Sequence, residues 1–419
     1  LDDPFSLPKN LKMKTALGHL RVLDLSRIFA GPWATQNLAD MGAEVIKIER
    51  PKKGDDTRAW GPPFLKDAQG QETRDSAYFM AVNRAKKSVT LDISTKEGQD
   101  IVRELAKTSD IVVENYKVGD LARYGLAWED LQKINPRLVY CSITGFGQSG
   151  PFSELPGYDY VFQGMGGLMS LSGIPEGMPG GEPMRAGVAV SDLITGMYAT
   201  SAILAAIEHR HISGKGQYID LALLDCTVAL TSYMAMNYFL SGVIPKRLGN
   251  AHSNMVPYQV FKVADGDMIV AVGNDSQFVS LTKVLGVPEL GTDERFNAPG
   301  QRVRNRDILV PLIAEILLTK NMAQWVELMD AANIPCGPIN NMKQVFENEQ
   351  VIHRKLKRSL DHSAGVQAPA VASPMNFSDT PIQHKHSSPV LGEHNTEVLE
   401  KILGMDSEKI QQLKDKGII

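Results

Sequence analysis

The sequence predicts an α/β fold in which a mostly parallel sheet is covered by helices on both faces. Short apolar runs recur through the first half of the chain with helical patterns between them, the rhythm of strands joined by crossover helices. Hydrophobic residues make up 43% and charged residues 22%, the balance of a globular chain with a buried interior. A length of 419 residues exceeds a single core, so two domains are expected.

Each element follows from its local pattern. Leu20–Leu25 is a short apolar strand, followed by the turn Gly31-Pro32-Trp33 and a helix over Ala34–Met41. Glu44–Glu49, Ser88–Ile93, Asp110–Glu114 and Leu138–Ile143 are the next strands, with helices over 96–107 and 128–134 among them. Residues 164–187 are rich in Gly, Pro and Met and read as loops. Two long buried helices are expected over 193–210 and 221–240, separated by Ser213–Gln217 and a short strand. Beyond Pro245 a different unit begins: Val260–Val263 and Met268–Val272 flank Asp265-Gly266 as a hairpin. Helices near 276–285, 307–318 and 321–332 complete it, Pro335-Cys336-Gly337-Pro338 marks its exit, and a helix near 341–346 and a pair over 394–415 close the chain.

Composition also excludes function classes. Lys and Arg number 44 against 48 Asp and Glu, a net charge of −4, which leaves no basic face for extended nucleic-acid binding. Cys141, Cys226 and Cys336 show no C-x-x-C spacing, so neither a disulfide framework nor a zinc site is indicated. The nine histidines form no metal-ligand pattern. No apolar run reaches the roughly eighteen residues of a membrane span; residues 193–207 read as a buried globular helix, and the expected location is the cytoplasm, or the mitochondrial matrix in a eukaryote. Residues 1–12 read as a leader before Met13.

The motifs that carry chemistry centre on Asp192. It leaves the β-branched run Val188-Ala189-Val190 and enters an Ala-rich helix with Gly196 nearby, so its carboxylate lies at or near a helix N-terminus. Catalysis and helix capping are both open for it. Tyr158-Asp159 follows a Gly-Pro loop and precedes Gly166-Gly167, whose backbone can approach an acyl group and offer amides to an oxyanion. Arg50, Arg58, Arg84, Lys86 and Lys87 lie near strand ends, where cations suit phosphate or else are ordinary surface charges. His252 sits in a polar loop at the domain joint. After the first strand the chain reads Ser26-Arg27-Ile28-Phe29-Ala30-Gly31-Pro32, not G-x-G-x-x-G, and there is no P-loop and no G-x-S-x-G elbow.

Taken in order, Gly31-Pro32, Ala43–Pro51, Gly54–Arg58, Asn83–Ser88, Val113–Tyr116, Asn135–Tyr140, Gly145–Pro151 and Gly214–Gln217 resemble the class III coenzyme A transferases of the CaiB/BaiF type. The resemblance runs over about residues 18–419 and implies an interlocked homodimer whose two chains thread through one another. It implies a Rossmann-like large domain assembled from residues 13–222 and 336–419, a linker helix over 223–245 and a small α+β domain over 246–335. The family's nucleophilic aspartate falls on Asp192, the acidic residue of its substrate loop on Asp159 beside Tyr158, and its CoA-binding arginine on Arg50. Asn115, Arg84, Lys87 and Arg123 are the further CoA-binding candidates. Phe29 stands where formyl-CoA transferases carry Gln, and His252-Ser253-Asn254 replaces their glycine-only loop, which turns the expectation from oxalate and formate toward a small dicarboxylate. Across Gly54–Phe64, His252–Phe261 and Gly337–Lys343 the chain looks most like succinyl-CoA:glutarate CoA-transferases. Phe29, Gly166, Gly167, His252, Ser253 and Asn254 are the substrate-binding candidates.

The implied activity is transfer of CoA from an acyl-CoA to a carboxylic acid through an aspartyl anhydride and an aspartyl-CoA thioester. Acyl-CoA enters as substrate, and no metal or tightly bound cofactor is expected. An acyl-CoA racemase needs a histidine where Tyr158 stands, so that alternative is disfavoured. A hydrolase, an oxalate transferase and a nucleotide-binding module without chemistry remain the other readings.

Overall fold

The computed structural model describes residues 15–419, so the expected leader and the first two residues of the expected large domain lie outside the described residues. The chain forms two compact units. The first comprises residues up to Gly167, Gly187–Ser232 and Glu349–Ile419; the second comprises Leu168–Ala186 and Tyr233–Asn348.

Six strands form the central sheet of the first unit: β1 (Arg21–Asp24), β2 (Glu44–Glu49), β3 (Lys86–Thr90), β4 (Ile111–Glu114), β5 (Val139–Thr144) and β6 (Tyr218–Ala222). All are parallel, in the order β3-β2-β1-β4-β5-β6. Strands such as β4 and β5 are buried along their whole length, which is why they read as unbroken apolar runs rather than alternating ones. The third strand starts two residues earlier than its apolar run because Lys86 and Lys87 open it. Lys86 is wholly buried by pairing with Asp24, a burial that apolar periodicity does not register.

Helices cover both faces. On one side α1 (Ala30–Asp40), α4 (Asp159–Met165) and α5 (Val190–Ser213) set Leu38, Phe162 and Ile203 against Val22, Val45 and Cys141. On the other, α2 (Lys96–Lys107) and α3 (Trp128–Ile134) join α6 (Asn395–Leu403) and α7 (Ser407–Asp415) over Leu23, Ile46 and Val112. The first helix begins four residues earlier than its apolar pattern because Gly31 and Pro32 occupy its first turn, where Pro costs no hydrogen bond. Thr95 caps α2 by accepting from the Gly98 N–H at 3.1 Å. The last segment completes the unit: His394 N–H donates to the Ser88 carbonyl at 2.9 Å and Asp92 N–H to the Ile418 carbonyl at 2.8 Å. The large unit is therefore assembled from N- and C-terminal segments.

Among the described residues α5 is long and apolar enough to cross a membrane, yet half of its most apolar stretch is buried in the unit's own core. The helix expected over 221–240 is two helices, Leu223–Leu230 and Ser232–Ser241, broken where Ser232 adopts a φ of 46°.

The second unit holds a three-stranded antiparallel sheet. Tyr258–Val263 and Gly266–Ala271 form the expected hairpin, and Cys336–Pro338, read as an exit loop, is the third strand, paired to Gly266–Ala271. Its flanking prolines are tolerated because it is an edge strand. Helices Asp275–Val284, Arg306–Leu317 and Met322–Ala331 pack around Phe261, Met268, Phe278, Leu309 and Trp325, which makes this an α+β unit.

Candidate active site

Strand order reverses between β1 and β4, so the connections leaving their carboxyl ends pass to opposite faces and open a crevice, the usual ligand site of such sheets. The loop after β1 is held open by buried charge. Asp24 accepts from Ser26 N–H at 3.0 Å, from the Thr35 hydroxyl at 2.6 Å and from Lys86 at 3.0 Å. Lys47 pairs with Asp55 at 2.9 Å and donates to the Ser26 carbonyl at 2.9 Å. Burial alone would raise the Asp24 carboxyl, yet Lys86 and Lys47 hold it below the ordinary carboxylate range. Ile28 sits at a φ of 72°, a strained conformation for a β-branched residue, with its N–H held by Asp55 at 3.3 Å. Asn115, at the end of β4, clasps the same loop: its side chain accepts from Arg27 N–H at 2.8 Å and donates to the Arg27 carbonyl at 2.7 Å.

A cavity of about 280 Å³ lies in this crevice, lined by Arg27, Phe29, Asn115, Lys117, Tyr158 and Asp192, among others. The fifth helix brings Asp192 there in its first turn. Gly196 sets the depth: a Cβ at that position would lie 2.7 Å from the Ala30 carbonyl oxygen and 2.8 Å from Trp33, so only glycine lets α5 approach α1 this closely.

The capping role that the sequence left open for Asp192 belongs to Asp159. Ala189 is the N-cap of α5 and has no side chain for the task. Asp159, the first residue of α4, instead accepts from Ser191 N–H at 2.8 Å and Asp192 N–H at 3.3 Å. The Asp192 carboxyl is thereby left to face the cavity at 8% exposure. Burial, with the Asp159 charge adding to it, pushes Asp192 up to about 7.

The other sequence candidates divide by place. Tyr158, 65% exposed, and Phe29, edge-on to Tyr78 at 5.2 Å, line the Asp192 cavity. Arg50 lies just beyond β2 and pairs with Asp56, which also receives Arg27 at 2.9 Å; both arginines line a smaller adjoining hollow with Tyr116. Arg84 and Lys87, expected to bind CoA, are at the opposite, amino-terminal edge of the sheet. Arg84 is buried in a bidentate pair with Asp40 at 2.5 and 2.8 Å, and Lys87 bridges Glu44 and Glu397 at 2.8 and 3.1 Å. Arg58 is likewise buried between Glu49 and Asp75. Arg123 is exposed, pairs with Asp120 at 2.5 Å and does not line the cavity.

Gly166 and Gly167, expected to offer amides, donate instead to the Phe162 carbonyl at 2.8 Å and the Gly164 carbonyl at 3.2 Å at the end of α4. Gly166 is small because a Cβ there would meet Thr227 at 2.6 Å. The N–H groups of Gly187, Val188 and Ala189, by contrast, are taken by no hydrogen bond among the described residues. His252, Ser253 and Asn254 belong to the second unit, where His252 stacks on Tyr233 at 5.3 Å, Asn254 bonds Asn237 at 2.8 Å and Arg306 donates to the Ser253 carbonyl at 2.8 Å. Among the described residues no group of three or more His, Cys, Asp or Glu is placed to hold a metal ion.

Arg27, Lys117 and Glu114 were not singled out from sequence. Glu114 ends β4, accepts from Tyr116 N–H at 2.7 Å and is pushed up to about 7 by burial. The available signal was topological: each lies where β1 or β4 ends, at the point of reversal.

An open parallel sheet with a buried, uncapped carboxylate at its switch point is a framework for small-molecule transfer chemistry. The model of CoA-transferase family III matches residues 17–395, and the chain belongs to that family. A succinate–glutarate CoA-transferase of Agrobacterium fabrum is 47% identical over 389 residues, covering 93% of this chain and 96% of the relative. The succinyl-CoA:glutarate CoA-transferase of Homo sapiens is 42% identical over 400 residues, covering 96% and 89%. The crystal structure of a CaiB/BaiF family protein from Brucella suis is similar with a TM-score of 0.80 at 45% identity, covering 93% of this chain and 99% of that one. This chain is an enzyme, a class III CoA-transferase, and acyl-CoA is its substrate rather than a resident cofactor.

Proposed function

We propose that this enzyme moves CoA from succinyl-CoA to a small dicarboxylate such as glutarate, with Asp192 as the nucleophile. The substrate pair rests on the names of its relatives. The observation that carries the nucleophile is a carboxyl buried in a cavity at the switch point, with its neighbouring helix amides already capped by Asp159. A carboxylate without strong donors is poorly solvated and correspondingly reactive toward a carbonyl carbon.

In the first step the Asp192 carboxylate attacks the thioester carbonyl, the C–S bond breaks, and a succinyl-aspartyl anhydride and CoA thiolate form. The thiolate attacks the aspartyl carbonyl, giving an aspartyl-CoA thioester and releasing succinate. The acceptor carboxylate attacks that thioester and expels the thiolate, and the thiolate takes the acceptor acyl group, which restores Asp192. Each tetrahedral oxyanion needs donors worth roughly 3 kcal/mol apiece, and we assign the unbonded amides of residues 187–189 to this. Tyr158 and Phe29 wall the acyl group, and Arg50 with the Arg27–Asn115 crevice is assigned to the CoA nucleotide. Phe239, Leu240, Val243 and Ile244 are exposed apolar residues, which supports the interlocked homodimer.

The test is an exchange assay of succinyl-CoA against glutarate, malate, oxalate and itaconate, with hydroxylamine trapping and peptide mapping of the loaded protein. Modification at Asp192 is expected during turnover, and Asp192→Ala loses exchange by several orders of magnitude. Full exchange by Asp192→Ala, or turnover with no trapped intermediate, overturns the assignment.

A further inference from the structure

One side chain joins the pieces of this site without lining its cavity. Gln163 is fully buried one turn after Asp159 on α4. Its Nε2 donates to Asp159 Oδ2 at 2.7 Å and to the Val188 carbonyl at 3.3 Å. The opposite oxygen of the same carboxylate, Oδ1, receives the Ser191 and Asp192 amides. The Asp159 carboxylate is thus gripped from both sides, by the helix it caps and by a neighbour on its own helix. The second bond from Gln163 holds the peptide at Val188, in the segment whose amides lead into Asp192.

A carboxylate held by only one oxygen turns about its own side-chain torsions, and Asp159 is partly open to water. The donor on Oδ2 removes that freedom. The same amide adds a second donor to the Val188 carbonyl, which already accepts from the Val190 N–H at 2.8 Å, and so ties that peptide to α4.

We infer that Gln163 is a positioning residue for the transfer reaction, locking Asp159 against the start of α5 and tying residues 188–192 to α4. The role rests on the reading of Asp192 as nucleophile and acts on it only through Asp159 and the backbone.

Gln163→Met keeps the length and bulk of the side chain and removes the donor, and Gln163→Glu replaces the donor with a charge that repels Asp159. In the succinyl-CoA and glutarate assay, Gln163→Met is expected to lower kcat by about tenfold to a hundredfold, the range of a small misplacement of reacting groups. Gln163→Glu lowers it further, and the KM for succinyl-CoA stays within about twofold because the residue does not line the cavity. In an Asp159→Asn background, Gln163→Met has little further effect on kcat, a coupling that a purely structural residue would not show. Gln163→Asn, which keeps the amide but withdraws it by one methylene, gives a smaller loss of the same kind and serves if the methionine variant does not fold. Wild-type kcat in Gln163→Met, an equal fall with and without Asp159, or a loss confined to KM overturns the role. Asp192→Ala run in parallel separates the two readings: its full activity removes the nucleophile, whereas its inactivity beside a fully active Gln163→Met removes only the positioning role.

Discussion

Asp192→Asn exposes the buried carboxyl through stability rather than turnover. Asp192 is 8% exposed and is lifted from its ordinary 3.8 to about 7, first by burial and then by the Asp159 charge. The unfolded chain releases this proton near about pH 4. Between about pH 4 and pH 7 the folded chain therefore holds a proton that the unfolded chain has lost, and stability must fall as pH rises through that window. At about 1.4 kcal/mol per pH unit, three units give on the order of 4 kcal/mol of destabilisation. It is absent below about pH 4 and complete above about pH 7. Asparagine has a similar shape and no charge to bury. Its own burial cost does not vary with pH, and Glu114, also raised to about 7, contributes the same slope to both proteins. The stability of the variant relative to wild type should therefore climb by a few kcal/mol from about pH 4 to about pH 8. Paired thermal and urea unfolding at several pH values, followed by circular dichroism, measures this. A difference that is flat with pH, or that favours wild type as pH rises, refutes the buried-carboxylate argument.

The same carboxyl governs rate: kcat/KM should rise through about pH 7 as Asp192 ionises, and Asp159→Asn should move that limb to lower pH while lowering kcat, so an unmoved limb would separate the two aspartates. Arg84→Gln leaves Asp40 buried without its partner and should cost about 3–5 kcal/mol of stability without changing the KM for succinyl-CoA; a tenfold rise in KM would return Arg84 to the nucleotide site. Gly196→Ala forces a Cβ to within 2.7 Å of the Ala30 carbonyl. It should lower stability by about 1–3 kcal/mol with a loss of exchange, and an unchanged melting temperature would show that α5 shifts freely.

The parallel sheet was legible because its strands are buried on both faces and written as continuous apolar runs. Asp192 was legible as a first-turn carboxylate for a similar reason, since strand-like and helical patterns meet beside it. Its relation to Asp159 was not, because a cap supplied from 32 residues earlier leaves no mark in local spacing. Arg58, Arg84 and Lys86 mark the same limit. A cation near a strand end has the same sequence appearance whether it meets phosphate, water or a buried carboxylate, and the partners of Arg84 and Lys86 lie 44 and 62 residues away. Gly166 and Gly167 resembled an amide-presenting loop, but packing against Thr227 and the last turn of α4 account for them. The third strand of the second unit was hidden by its own prolines, which only an edge position accommodates.

The hydrogen bonds that Ser88 and Asp92 make to His394 and Ile418 reach across some three hundred residues of intervening polypeptide. A nascent chain emerging from the ribosome thus displays β3 as a bare sheet edge until the segment from His386 to Asn395, which bonds along it, is synthesised, inviting pairing with other chains in the interval. Proteolytic removal of that segment would recreate the bare edge in the mature enzyme, so these residues seal the sheet of the first unit.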